Sequence, residues 1–242
     1  MKRYSTQAIV LKSIKYKDSD KIFTLLTKDY GKVSAIARGV RKINSRRSGN
    51  LDTLNLISVS FYEDSHDMRS IEEVKTIKSF RNLKKDLEKS TKAYYIVELI
   101  HKSVEENEKV EDIFNLALQS LKTLDENKYS GGLIINFFEL NLMKILGYQL
   151  TLNKCRKCER VLDNSWKKYF FNVDNGSFEC EDCTKYGIEV SKGAAIEFLN
   201  VFNGKLTKES QEVDKEIDKI LKIYISRKLE SKFKSLEIGS MI

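Results

Sequence analysis

The sequence of 242 residues contains no proline and no run of about 18 apolar residues. Without proline, slow folding phases that come from a native cis-proline bond are excluded. Without a long apolar run, a transmembrane helix is excluded. The first residues also lack the apolar stretch and small-residue cleavage site of a signal peptide. The sequence therefore predicts a cytoplasmic protein, in a compartment where disulfides are disfavoured.

Histidine is scarce as well, with two residues in the chain. His66 falls in a polar turn and His101 on an apolar helical stripe, so we interpret them as a surface and a core histidine. The sequence has no phosphate-binding loop, GxSxG or HExxH motif. Asp18 and Asp20 lie in a turn between predicted strands, where acidic residues cap turns and pair with nearby lysines. We therefore predict that the protein is not an enzyme.

Positive charge is abundant and unevenly distributed. Residues 1–80 hold 16 Lys and Arg against 9 Asp and Glu, which is +7 of the chain's net +8. Apolar residues make up 41% of the chain, so a folded core is expected rather than disorder. A folded module with such a bias indicates a polyanionic partner, usually a nucleic acid or an anionic membrane surface.

The N-terminal third has the pattern of β-strands. In residues 57–62, Ile, Val and Phe alternate with Ser, Ser and Tyr, which is the period-two signature of a half-buried strand. The other predicted strands are residues 8–11, 21–26, 32–37 and 68–76. Five short strands in this length predict a small closed barrel, and the five-stranded OB-fold is the architecture that fits.

From residue 80 the apolar pattern changes to a helical period. Apolar stripes predict helices over residues 83–104, 110–121, 133–146, 191–203 and 209–238. Gly147 follows the third of these, where a C-terminal glycine stop belongs. The sequence thus predicts an α+β protein, with an OB-fold nucleic-acid-binding domain at 1–79 and a helical domain at 80–242. The helical domain contains a zinc-binding insertion at 153–186.

The four cysteines form two Cys-x-x-Cys pairs, Cys155 with Cys158 and Cys180 with Cys183. Two strand-like segments joined by Asn175-Gly176 predict a hairpin between the pairs. This spacing is typical of a zinc ribbon, in which four thiolates bind one tetrahedral ion. A four-cysteine iron–sulfur cluster is the main alternative, and disulfides or a redox pair fit less well. Since no histidine lies near the pairs, the site is predicted to be structural rather than catalytic.

A second candidate site lies in the predicted barrel. Five of the ten residues from 38 to 47 are basic and none is acidic, and three lysines flank Tyr16. Basic side chains bind phosphates and a tyrosine ring can stack on a base, whereas a solvated charged loop is the alternative interpretation. By analogy, an OB-fold favours single-stranded nucleic acid. The predicted DNA-binding residues are Lys12, Lys15, Tyr16, Lys17, Lys32, Arg38, Arg41, Lys42, Arg46 and Arg47.

Several motifs occur in an order that is typical of one family. They are Ala-Ile-Val-Leu at 8–11, Tyr-Lys-Asp-Ser-Asp at 16–20, Thr-Lys-Asp-Tyr-Gly-Lys at 27–32 and Ala-Arg-Gly-Val-Arg-Lys at 37–42. In the helical part, Phe-Glu-Leu at 138–140, Leu-Gly-Tyr at 146–148 and Gly-Ser-Phe-Glu-Cys at 176–180 lead to the cysteine pairs. In these motifs the chain resembles the RecO family of bacterial recombination mediators. Members usually have a glutamate near the position of Asp18 and several prolines, whereas this chain has Lys17-Asp18 and no proline.

The resemblance implies a non-enzymatic mediator in DNA repair, associated with the nucleoid and without a membrane partner. Such proteins bind single-stranded DNA, anneal complementary strands and help to load the recombinase onto strands coated by single-strand-binding protein. Its implied partners are RecR, the C-terminal tail of single-strand-binding protein and, in many bacteria, RecF. Some members lack the cysteines, which implies that zinc serves stability. Two alternatives from other classes are a protein-binding adaptor and a zinc-ribbon RNA-binding factor.

Overall fold

A computed structural model describes residues 2–45, 47–63, 69–108, 110–148, 150–207 and 210–229. Arg46 and His66 lie outside these residues. The chain divides into two compact units, Met1–Asp125 and Glu126–Ile242. None of the helices in the described ranges has the length and apolar character needed to cross a membrane.

The first unit contains five strands and three helices. They are β1 (Lys2–Tyr16), β2 (Asp20–Thr27), β3 (Gly31–Ala37), β4 (Leu56–Glu63), β5 (Arg69–Lys78), α1 (Arg81–Lys85), α2 (Leu87–Ser103) and α3 (Glu111–Glu126). The strands close into a barrel in the order β1-β2-β3-β5-β4. Neighbouring strands are antiparallel, except that β3 and β5 are parallel. The predicted five-stranded, OB-like barrel is confirmed.

Strand β1 closes the barrel by pairing with two neighbouring strands. Its residues 2–9 pair with β4, and its residues 8–16 pair with β2. An irregularity between Val10 and Lys12 shifts the register and allows the strand to turn from one partner to the other. The barrel interior is filled by side chains from all five strands, with Phe23 and Phe61 as the largest. Closure leaves the barrel without the free edges that a small open sheet exposes.

Helices α1–α3 belong to the barrel's compact unit. Asp125 at the end of α3 accepts a hydrogen bond from the Leu83 N–H (3.1 Å) and pairs with Lys78 of β5 (3.3 Å). Ser34 of β3 donates to the carboxylate of Glu106 at 2.6 Å. The predicted boundary at 79/80 therefore marks the change from strand to helix, whereas the compact unit extends to Asp125 because the helices pack on the barrel.

The second unit combines three helices with a three-stranded sheet. Its elements are α4 (Gly131–Ile145), β6 (Tyr169–Asn172), β7 (Ser177–Cys180), β8 (Ile188–Val190), α5 (Lys192–Phe202) and α6 (Gln211–Leu229). The sheet order is β7-β6-β8. Phe171 of β6 stacks on Phe198 of α5 at 5.5 Å and meets Tyr224 of α6 edge-on at 6.1 Å. These ring contacts join the hairpin to the helices in one core.

Two glycines have the positions that the sequence predicted. Gly147 has φ +85°, and the N–H groups of Gly147 and Tyr148 donate to the carbonyls of Lys144 and Met143 at 3.1 and 3.0 Å. This is the Schellman termination of α4. Gly176 has φ +65° in the turn between β6 and β7, and an added Cβ would lie 2.7 Å from the Leu150 side chain. A larger residue at Gly176 would therefore be excluded by both conformation and space.

Candidate metal centre and nucleic-acid interface

The four cysteine sulfurs converge in the second unit. All lie within 4.8 Å of one another, and the sulfurs of Cys158 and Cys180 are 3.7 Å apart. A tetrahedral ion bound to sulfur at about 2.3 Å would separate its ligands by about 3.8 Å, so the spacing fits one metal ion. A disulfide requires a sulfur–sulfur distance of about 2.05 Å, and all four cysteines are free. The predicted cluster of Cys155, Cys158, Cys180 and Cys183 can therefore bind a metal ion.

Backbone hydrogen bonds shape the two cysteine turns. The N–H groups of Cys183 and Thr184 donate to the Cys180 carbonyl at 3.0 and 3.1 Å. The Glu159 N–H donates to the Cys155 carbonyl at 2.9 Å, and Glu159 adopts φ +61° to close that turn. The Cys180 N–H also faces the sulfur of Cys155 at 3.5 Å. Each pair of sulfurs is thus positioned by its own turn, and the contacts of Cys180 with the sulfurs of Cys155 and Cys158 link the two turns.

The same geometry sets the acidity of the thiols. Burial opposes ionisation of Cys155, but backbone N–H groups of Cys158, Cys180 and Lys157 hold its pKa at about 6. Hydrogen bonds with the thiols of Cys158 and Cys180 raise the pKa of Cys183 to about 12. Cys155 therefore ionises readily, and its thiolate accepts hydrogen bonds from the thiols of the cluster that keep their protons. A divalent cation can replace those protons, because thiolates are the form that binds metal.

Two cations beside the cysteine cluster, Lys157 and Arg160, are paired with carboxylates. Lys157 lies 2.9 Å from Glu179, whose side chain is 2% exposed. Arg160 pairs with Glu181 at 3.2 Å and with Asp182 at 2.9 Å. Because these positive charges are balanced within the fold, they are not available to recruit a polyanion.

The second candidate site is formed by two loops of the barrel, residues 17–19 between β1 and β2 and residues 38–48 after β3, which we call the loop pair. Arg41 joins the two loops. Its N–H donates to the Ser19 carbonyl at 2.9 Å, and its guanidinium donates to the carbonyls of Asp18 and Lys17 at 2.9 and 3.4 Å. The structure therefore brings together the two basic segments that the sequence analysis assigned to one candidate site.

Asp20 provides a second link between the loops. Its carboxylate accepts a hydrogen bond of 2.7 Å from the N–H of Gly39, and this bond lowers the pKa of Asp20. Gly39 has φ +67°, and the stem of Lys42 passes 3.7 Å from the place where a Cβ would lie. The turn-capping role predicted for Asp20 thus extends to the neighbouring loop, and it helps to position the basic residues that follow Gly39.

The predicted DNA-binding residues differ in how free their charges are. The exposed cations that form no salt bridge with any described residue are Lys12, Lys15, Lys17, Arg38, Arg41 and Lys42, of which Arg41 donates to the backbone of the neighbouring loop. The Lys17 ammonium lies 5.4 Å from the centre of the half-buried Tyr16 ring. Arg47 is half-buried and donates to the carbonyls of Arg38 and Ile71 at 2.8 and 3.1 Å, so much of its guanidinium anchors the loop. As contacts to DNA, these residues stay predictions, and Arg46 lies outside the described residues.

Lys32 does not belong with the exposed cations. Its side chain is buried, and its ammonium donates to the His101 carbonyl of α2 at 2.7 Å. Burial lowers the pKa of Lys32. The structure therefore does not place Lys32 among the exposed cations, because α2 covers the strand at that position, and its contact with DNA stays a prediction. No local sequence pattern indicates that helix contact.

Lys21 was missed by the sequence analysis. It is the direct cross-strand partner of Lys15 in the register of β1 and β2. Like charges that face each other across a strand pair repel, and an anion bound between them relieves the repulsion. The β1–β2 register was needed to find this pair, since Lys21 reads in the sequence as the start of an apolar strand.

The fold and its sites define a class of protein in which an OB-like barrel with a basic loop pair precedes a helical unit with a four-cysteine cluster. Residues 1–80 match the family described as "Recombination protein O N terminal", and residues 84–237 match "Recombination protein O C terminal". The chain is 34% identical over 243 residues to a protein named DNA repair protein RecO from Thermoanaerobacter sp. (strain X514), with 97% of this chain and 96% of that protein covered. It is 30% identical over 241 residues to the protein of the same name from Clostridium novyi (strain NT), with coverages of 97% and 93%. The chain belongs to the recombination protein O (RecO) family.

Proposed function

We propose that this protein is a non-enzymatic recombination mediator in DNA repair. In this proposal it binds single-stranded DNA on the loop pair, promotes annealing of complementary strands and aids recombinase loading onto strands coated by single-strand-binding protein. Family membership and relatives named DNA repair protein RecO support the repair role. The observation that carries DNA binding is the loop pair, because Arg41 and Asp20 hold together two loops whose exposed cations Arg38 and Lys42 form no salt bridge with a described residue.

The charge of the loop pair also provides a physical reason for annealing. Two complementary strands repel each other through their phosphates, and cations that neutralise the phosphates release condensed counterions as they bind. The phosphate contacts carry no base identity, so the base edges stay available for pairing. A strand held by Arg38, Lys42 and the lysines of β1 can therefore pair with a second strand at lower electrostatic cost.

We assign one zinc ion to the four cysteines. A set of four thiolates without a histidine or carboxylate ligand is typical of structural zinc, and it leaves no open position for catalysis. When bound, zinc would connect the two cysteine turns and so stabilise the hairpin that packs on α5 and α6. RecR, the tail of single-strand-binding protein and RecF are the protein partners that the family resemblance adds to this proposal.

The test is binding of labelled single-stranded oligonucleotides across a series of salt concentrations. Each lost phosphate contact flattens the log–log salt dependence by about 0.7, so Arg38→Ala/Lys42→Ala should flatten it by about 1.4. The control is Lys167→Ala/Lys185→Ala, which removes two exposed cations from the second unit. Equal flattening in both double variants would contradict a path on the loop pair.

Two further assays separate the proposed function from its alternatives. Competition between single-stranded DNA and RNA of the same sequence tests an RNA-binding factor, which would prefer RNA. Annealing of complementary strands coated with single-strand-binding protein, with and without RecR, tests the mediator activity. A protein-binding adaptor would show neither annealing nor steeply salt-dependent DNA binding.

A further inference from the structure

Ile43 stands out among the apolar side chains of the described chain. Its relative exposure of 104% exceeds that of the other exposed large hydrophobic residues, which range from 37% to 86%. Single exposed apolar residues are common on protein surfaces and need no function by themselves. Ile43 differs because of the loop that holds it and the charges that surround it.

The loop around Ile43 is held by hydrogen bonds on both sides. Before it, the Lys42 N–H donates to the Gly39 carbonyl at 3.2 Å, and Arg41 is bonded to the neighbouring loop. After it, the Ser45 N–H donates to the Lys42 carbonyl at 2.9 Å, and the Ser48 hydroxyl donates to the Ser45 carbonyl at 3.0 Å. The isoleucine is therefore presented to solvent by a fixed turn.

The same loop is anchored in the barrel core. Val40 and Leu51, at either side of the turn, belong to the buried cluster inside the barrel. Arg47 ties the loop to the main chain of β5 through the Ile71 carbonyl. Both sides of the turn that carries Ile43 are thus tied to the barrel.

The surroundings of Ile43 select the chemistry of its partner. Arg41 and Lys42 precede it and are exposed, and residues 38–47 contain no acidic side chain. The partner must therefore be anionic and must also offer apolar surface within a few ångströms of its charges. Single-stranded DNA meets both conditions, since flat base faces alternate with phosphates along the strand.

We infer that Ile43 is an apolar wedge that inserts between two neighbouring bases of the bound single strand, while the cations beside it bind the flanking phosphates. Isoleucine is one of the side chains that partly unstack base steps in this way in other DNA-binding proteins. This inference rests on the proposed function and adds a base contact to it.

The probe is a single-stranded oligonucleotide that carries 2-aminopurine between two adenines, whose fluorescence rises when the base is unstacked. Ile43→Ser should bind this strand about tenfold more weakly, which is about 1.4 kcal/mol. Its salt dependence should keep the wild-type slope because no charge is removed, and the fluorescence increase should be lost. Ile43→Leu should retain both the affinity and the fluorescence change. Val161→Ser, at a 65% exposed position in the second unit, is the matched control and should behave as wild type.

The possible failures are distinguishable. Wild-type affinity and fluorescence in Ile43→Ser would overturn the wedge, while flattening of the salt dependence in Arg38→Ala/Lys42→Ala would leave the DNA path intact. A wild-type protein that does not bind the strand would overturn the proposed function together with the wedge. An Ile43-dependent binding to phosphatidylserine vesicles, with DNA binding unchanged in Ile43→Ser, would assign the side chain to a membrane surface and also overturn the inference.

Discussion

The cysteine cluster and the loop pair each gather groups of one kind, but they differ in how charge is balanced. Around the cysteines, Lys157 and Arg160 lie within 2.9–3.2 Å of carboxylates. In the loop pair, Arg38 and Lys42 are exposed and form no salt bridge with the residues that the structure describes. In the proposed function, a metal ion would complete the first site from within the fold, whereas the second would bind an anion from solution. The comparison thus sets a proposed stabilising site against a proposed binding site.

The largest expected effect is the loss of stability in variants of the cysteine cluster, and it tests whether this site stabilises the fold. Cys158 is exposed and Cys155 is buried, so loss of packing alone would make Cys158→Ser nearly silent and Cys155→Ser costly. Bound zinc contributes about 10–16 kcal/mol in zinc-finger peptides. We therefore expect both variants to lose the metal and to lower the thermal transition of the second unit by about 10 °C or more.

Metal analysis and thermal unfolding of the two cysteine variants check this expectation. The salt dependence of DNA binding serves as the control, and it should be unchanged in both because the loop pair lies in the other unit. A silent Cys158→Ser with full metal content would remove Cys158 from the ligand set. Equal loss of DNA binding would contradict the division between the two sites.

A second test changes the position of the loops rather than their charge. Asp20→Ala removes the acceptor of the Gly39 N–H and raises the net charge by one. Charge alone predicts tighter DNA binding, whereas loss of the link between the loops predicts weaker binding. We expect severalfold weaker binding with an undiminished salt dependence, because the cations remain but are no longer held in place. Asp18→Ala is the matched control, since it makes the same charge change at an exposed carboxylate, and it should bind slightly more tightly.

The fold was largely predictable because its elements follow simple periodicities. The alternation in residues 57–62 matches β4, in which Ile57, Val59 and Phe61 are buried. Strand β1 proved longer than the predicted residues 8–11, since its ends carry polar side chains that the apolar pattern does not mark. Strand β8 was missed because its three residues, 188–190, are too few to show a period.

The sequence predicted the cysteine cluster more completely than it predicted the arrangement of the loop pair. Two Cys-x-x-Cys turns and a hairpin are local features, and they were enough to predict the cysteine cluster. The links made by Arg41 and Asp20 depend on contacts between separate loops, which no local pattern shows. Burial of Lys32 under α2 and the pairing of Lys15 with Lys21 also depend on tertiary contacts and strand register.

A third test concerns base contact at the loop pair. If a base stacks on Tyr16, Tyr16→Ala should weaken binding by about 1–3 kcal/mol, and Tyr16→Phe should keep most of the affinity. The salt dependence should stay the same in both, because neither changes a charge. Oligonucleotide binding at two salt concentrations measures both quantities. Equal losses in the two variants would indicate that the hydroxyl, rather than the ring face, makes the contact.

The smallest expected effect on DNA binding belongs to Lys32. Its ammonium is buried against the His101 carbonyl, so Lys32→Met removes a positive charge that DNA does not reach. We expect the salt dependence of DNA binding to be unchanged, whereas the same substitution in Lys42→Met should flatten it by about 0.7. If Lys32→Met flattened the salt dependence as much as Lys42→Met does, Lys32 would belong to the DNA path.

Lys32→Met should instead change how stability depends on pH. Burial lowers the pKa of Lys32 below its ordinary value of 10.5, so the unfolded chain holds this proton more tightly than the folded protein does. Between the lowered pKa and 10.5 the unfolded state binds more protons, and the free energy of unfolding contributed by this group therefore rises with pH. Denaturant unfolding of wild type and Lys32→Met at several alkaline pH values isolates this contribution as the difference between the two curves. A wild-type curve that falls relative to the variant as pH rises in this window would mean that the folded state favours the charged lysine. The charges of Glu105 and Glu106 would then outweigh the burial of the ammonium.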